Sequence, residues 1–158
     1  MEVERAAIGR NESNMKPAQL LQQFDDAAIV ASIAAAESLT TGEIRVFVSR
    51  RSPGDAVARA TRRFHLLHMH RTPDRNAVLV YLAPRVQKFA VIGDEGVHRL
   101  CGQELWDNVA ALLGEHLKQQ RYTAGVVAAI GEIGRALALH FPSSGPARND
   151  LPNEVLRD

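Results

Sequence analysis

The stretch "NAVLVYLAPRVQKFAVIGDEGVH", residues 76–98, decides the fold. NAVLVYLA is apolar almost without interruption, the pattern of a strand covered on both faces. PRVQ is short enough for a hairpin connection, so KFAVIG returns antiparallel to it. That second strand stops abruptly on Asp94 and Glu95, where Gly93 and Gly96 allow the backbone to bend.

Working outward, EIRVFVS (residues 43–49) alternates, with Ile44, Val46 and Val48 on one side and Arg45, Phe47 and Ser49 on the other. Period two predicts a half-buried strand. SPGD opens the helix that follows, with Pro53 in a first turn that needs no N–H, and Val57, Ala60, Phe64 and Leu67 form its inward stripe. A helical connection between two strands of one sheet makes them parallel, through a right-handed crossover. An earlier helical stretch follows Lys16-Pro17, takes its N-cap chemistry from Asp25 and Asp26, turns Ile29, Ile33 and Ala36 inward, and breaks at Thr40-Thr41-Gly42. Residues 95–141 read as helical with a break at RYTAG, burying Leu105, Val109, Leu112 and Leu113, then Val126, Ile130, Ile133 and Leu137. The expected fold class is α/β: a mixed β-sheet, two parallel strands plus an antiparallel hairpin strand, sandwiched by helices. A single domain is expected over residues 16–141, between flexible ends at 1–15 and 142–158.

Composition narrows the function. Of 158 residues, 46% are hydrophobic and 23% charged, and the formal net charge is +1, without the basic excess of a nucleic-acid binder. Aromatics at 5% are too few for base-stacking platforms. The first residues lack the apolar core of a secretory signal, and no run reaches the roughly 18 apolar residues of a membrane span, so a soluble, cytoplasmic protein without a membrane partner is expected. Cys101 is the single cysteine, which excludes an intramolecular disulfide and reads as a small buried residue, with His98 the one local candidate base. His65, His68 and His70 crowd one helix end but lack an evident third rigid ligand for a transition metal. No nucleophile elbow, Walker loop or dinucleotide fingerprint is present.

Strand direction then says where side chains gather. With two parallel strands and one antiparallel return, the start of the first, the start of the second and the end of the third share a rim. Glu43, Asn76 and Asp94 stand at those positions, with Thr41, Asp74 and Glu95 beside them. Carboxylates, an amide oxygen and a hydroxyl are the donors a hard cation such as calcium or magnesium takes. The plainer alternative is that they are solvated turn and cap residues, Asp94 capping the helix that starts near Glu95. The opposite rim carries Arg50, Arg51 and Arg85, candidates for holding an anion, and lies outside the carboxyl ends of the parallel strands, where ligands of open α/β sheets bind.

The order and spacing of these segments resemble the TPM domain family. TTGEIRV resembles its Thr/Ser-Gly-x-Glu-Ile-x-Val opening, RNAVLVYLA its Asn-Gly-Val-Leu strand with Ala77 in place of the glycine, and VIGDEGV a Gly-Asp-x-Gly branch. The likeness spans about residues 34–142. It implies an α/β sandwich with a divalent-cation site at one edge of its sheet, which carried over would engage Glu43, Asn76 and Asp94. It also implies an acid-phosphatase-like activity, as in plant thylakoid-lumen relatives. Three functions follow as expectations: a non-catalytic or regulatory cation-binding domain, a metal-assisted phosphoester hydrolase with Arg45, Arg71 or Arg75 near the acids, and a protein-interaction module presenting Trp106 and Tyr122.

Overall fold

Burial on both faces of the hairpin makes it the middle of a five-stranded sheet in the computed structural model, which describes residues 2–5, 23–145 and 153–158. In chain order the elements are β1 (Glu2–Arg5), α1 (Asp26–Glu37), β2 (Glu43–Val48), α2 (Ala56–Leu66), β3 (Ala77–Ala83), β4 (Lys88–Gly93), α3 (Glu95–Lys118), α4 (Tyr122–His140) and β5 (Val155–Arg157). The sheet order is β1-β4-β3-β2-β5. β2 and β3 run parallel in the register Glu43↔Ala77 to Val48↔Leu82, and β4 returns antiparallel to β3, Val78 opposite Gly93.

Strand alternation sorts the core into two layers. Ile44, Val46 and Val48 join Val78, Val80, Leu82, Phe89 and Val91 beneath α1, α3 and α4. Phe47, Leu79, Tyr81, Ala90 and Ile92 face α2, against Ala56, Ala60 and Phe64. The structure corrects the reading of β2 as half-buried: all six of its residues are buried, Phe47 in the α2 layer and Arg45 beside Glu154. Arg63 of α2 lies 4.4 Å from the centre of the Phe47 ring, a cation over an aromatic face, and that ring stacks on Tyr81 at 5.6 Å.

The helix signals hold with small shifts. Asp25 caps α1 by accepting from the Ala28 N–H, and Asp55 caps α2 by accepting from that of Ala58. Pro53 therefore stands before α2 rather than in its first turn. The earlier part of the first helical stretch, near Lys16, lies outside the described residues. Gly102 (φ 70°, ψ −171°) kinks α3, as its weak helix propensity foreshadows. Trp106 and Tyr122 are both buried, so neither is available as an exposed anchor for a partner. α4 has the length and apolarity of a membrane span, yet Val126, Ala129, Ile130, Ile133 and Leu137 are fully buried against the sheet's helical layer.

Both edge strands fall in segments expected to be flexible. β1 pairs antiparallel with β4, and β5 pairs parallel with β2, Val46 opposite Val155. EVER and VLR carry little hydrophobic pattern. What makes them strands is backbone hydrogen bonding to the open flanks of β4 and β2, and short, charged edge strands are how sheets protect those flanks.

Candidate functional site

The three positions drawn together by strand direction do share one rim: Glu43 donates its N–H to the Asn76 carbonyl at 3.4 Å, and Asp94 donates its N–H to the Ala77 carbonyl at 3.0 Å. Their side chains, however, are committed to different neighbours. The Asp94 carboxylate, 7% exposed, is gripped by Arg75, Nε–H to Oδ2 at 2.7 Å and Nη2–H to Oδ1 at 2.9 Å. Its Oδ1 also accepts the Glu95 N–H at 2.8 Å, the cap expected for α3. Arg75 reaches Glu95 as well, at 3.4 Å, and its pairing with Asp94 raises its already high pKa. This residue sits at φ 50°, a left-handed conformation uncommon for a side chain of its size. The turn is held by the Thr72 hydroxyl, which accepts the Asn76 N–H, and by the Thr72 carbonyl, which accepts that of Arg75.

Asn76 spends an amide proton on Thr41 Oγ1 at 3.1 Å, while Thr41, Asp74 and Glu95 are exposed to solvent. Glu43, 2% exposed, belongs to another group. Glu37, at the end of α1, accepts the Ile44 N–H at 2.9 Å and hydrogen-bonds Glu43. Burial above all, and then the Glu43 carboxyl, push the Glu37 pKa up to about 8, against the lowering effects of the Ile44 N–H and the Asn153 amide. The buried Glu37 carboxyl holds its proton because the charged form has lost its water and faces a second carboxyl. Arg45 lies buried close by, 4.0 Å from Glu154, with Nε lacking a hydrogen-bond partner. Sequence reasoning misses the buried carboxyl pair, although Ile29, Ile33 and Glu37, spaced by four, put a carboxylate on α1's buried stripe.

Across the sheet, Arg50 and Arg51 meet an anion that belongs to the chain. Asp158 accepts from the Ser49 hydroxyl (Oδ2, 2.5 Å) and from the Arg50 N–H (Oδ1, 2.9 Å). Arg85 is exposed in the turn between β3 and β4. The remaining candidates resolve simply. The Trp106 indole N–H donates to His98 Nδ1 at 3.1 Å, and burial pushes the Cys101 thiol up, away from the thiolate a nucleophile needs. The rings of His65 and His70 lie 5.0 Å apart and those of His68 and His70 6.4 Å apart. Among the described residues no three His, Cys, Asp or Glu side chains converge in the way a bound metal ion needs.

A profile of the TPM domain matches residues 15–136, most of the chain. The chain belongs to the TPM domain family. Its fold is similar to the NMR structure of BA42 protein from the psychrophilic bacterium Bizionia argentinensis, at 32% identity and a TM-score of 0.79, covering 96% of this chain and 100% of that one. No curated protein matches it. The TPM resemblance implies a divalent cation, and at the rim the donor types fit one: Asp74, Asp94 and Glu95 offer carboxylates, and Thr41 and Asn76 neutral oxygens. As the side chains stand, the cation held there is the Arg75 guanidinium.

Proposed function

We propose that this TPM domain is a non-catalytic, regulatory cation-binding domain that takes calcium or magnesium at the rim between β3 and α3, with Asp94 as the central ligand. One observation carries the reading: Asp94 is a buried carboxylate already engaged with a positive charge, in surroundings that remain acidic. Asp74, Asp94 and Glu95 against the single guanidinium of Arg75 leave two negative charges, the complement of a divalent ion. Arg75 is 42% exposed and can turn outward, which frees Asp94 Oδ2 and leaves Oδ1 only its bond from the Glu95 N–H; the exposed Asp74, Glu95 and Thr41 side chains then close in. Glu43 is not needed, since its carboxyl bonds to Glu37.

Thermal unfolding with added calcium or magnesium chloride tests this. At a hundredfold excess over Kd, one site adds about 2.7 kcal/mol, which for a domain of this size raises Tm by roughly 5–10 °C. Asp94→Asn removes the increment, Glu43→Gln leaves it, and Arg75→Gln enlarges it at subsaturating ion by removing the internal competitor. No rise at millimolar ion in either the native chain or the Arg75→Gln variant defeats the reading.

A further inference from the structure

The opposite rim carries a second polar corner, unrelated to the cation reading. It is built at the carboxyl ends of the parallel strands β2 and β3, the side of an open α/β sheet where ligands seat. The hydroxyl of Ser49, fully buried, and the Arg50 backbone N–H both donate to one carboxylate, that of Asp158. Ser49 Oγ also accepts the Arg51 N–H at 3.1 Å, which fixes the hydroxyl's direction. Against the raising effect of its own partial burial, these donors and the charge of Arg51 hold the Asp158 carboxyl below its ordinary pKa.

Asp158 is 108 residues beyond Arg50 and arrives on β5, a strand of three residues. It is therefore a ligand on a short tether rather than part of the corner. The side chains of Arg50 and Arg51 are both exposed, and the Arg51 charge acts on the Asp158 carboxylate. A dianion with a third oxygen matches the two donors and both arginines better than a carboxylate does.

We propose that the Ser49–Arg51 corner is a phosphate-binding site, for inorganic phosphate or the phosphate group of a monoester, and that Asp158 competes for it in cis. Occupation from outside displaces Asp158 and loosens β5 from β2. The strand is also tied by the two-pronged pair of Arg157 with Asp26, at 2.7 Å in both bonds, and just before it Glu154 lies 4.0 Å from Arg45.

The experiment is a titration of the full chain with sodium phosphate, followed by backbone NMR, with sodium chloride of equal ionic strength as control. In Asp158→Ala, phosphate gives saturable shifts centred on residues 49–52, with a Kd at least tenfold below that of the native chain. In the native chain, phosphate but not chloride speeds amide exchange across residues 155–157. Ser49→Ala in the Asp158→Ala background abolishes the saturable response. Asp158→Asn, which keeps a neutral hydrogen-bonding side chain on β5, is the second variant and should fall between the two. Shifts that follow ionic strength alone, or no response in a folded Asp158→Ala or Asp158→Asn chain, overturn the proposal. A phosphomonoester such as glycerol phosphate, run in parallel, distinguishes a free-ion site, which prefers phosphate, from a monoester site, which binds both.

Discussion

Replacing Glu37 with glutamine will make stability nearly independent of this site's proton between about pH 5 and 8, and the variant will be more stable than the native chain at the upper end. The direction follows from the raised pKa. Glu37 keeps its proton in the folded state up to about pH 8, whereas the unfolded chain gives it up above its ordinary value of 4.5. Below that value both states are protonated and the group contributes no difference. As pH rises from there, the unfolded state gains the freedom to ionise in water and the folded state does not, so stability falls until the folded carboxyl also titrates. A tenfold difference in proton affinity between the two states corresponds to about 1.4 kcal/mol, so the raised affinity of Glu37 translates into a difference of several kcal/mol at most by pH 8. Glutamine keeps the geometry: its carbonyl accepts the Ile44 N–H and its amide donates to Glu43. Urea melts of both proteins at pH 5, 6.5 and 8, with a chelator present, give the difference profile. If the two curves run parallel across that range, Glu37 does not keep its proton in the folded state as described.

The fold is largely legible because its decisive signals are local. Hairpin length and crossover length set strand direction, and strand direction alone puts Glu43, Asn76 and Asp94 on one rim. Where sequence reasoning stops short, the cause is non-local. Nothing in EVER or VLR announces a strand, since the pairing is supplied by β4 and β2. Nothing in the spacing of residues 43, 76 and 94 reveals that Asp94 is gripped by Arg75, a residue with an unusual positive φ. Glu37 is the instructive omission. Read by its apolar residues, the stripe of α1 ends at Ala36, one residue before a carboxylate that continues the four-residue spacing of Ile29 and Ile33. A charged residue on a buried stripe is a stronger pointer to unusual chemistry than one in a turn, because burial is what shifts its proton affinity. The bonds from Ser49 and the Arg50 N–H to Asp158 are likewise illegible in the sequence, because no pattern connects positions so far apart.

Gly96→Ala should be among the most damaging single substitutions in the protein, costing about 3 kcal/mol or more. A Cβ built on Gly96 falls 2.2 Å from the Asp74 carbonyl oxygen and 2.6 Å from that of Arg75. These are backbone atoms in a turn fixed at both ends, by the Thr72 bonds and by the Gly96 N–H donated to the Arg75 carbonyl at 2.9 Å, so they cannot step aside as a side-chain tip would. Gly54 provides the contrast. It adopts φ 67° with open space around it, so alanine there meets only the left-handed backbone penalty of roughly 1–2 kcal/mol. Urea unfolding of the two variants should separate them clearly. The larger loss carries a functional mark too: pushing the turn off α3 withdraws the Arg75 guanidinium from Asp94 and uncouples the acidic rim from the end of β4. A Gly96→Ala protein as stable as Gly54→Ala would mean that the 74–75 turn yields freely, and a turn that loose could not hold Asp94 ready for a cation.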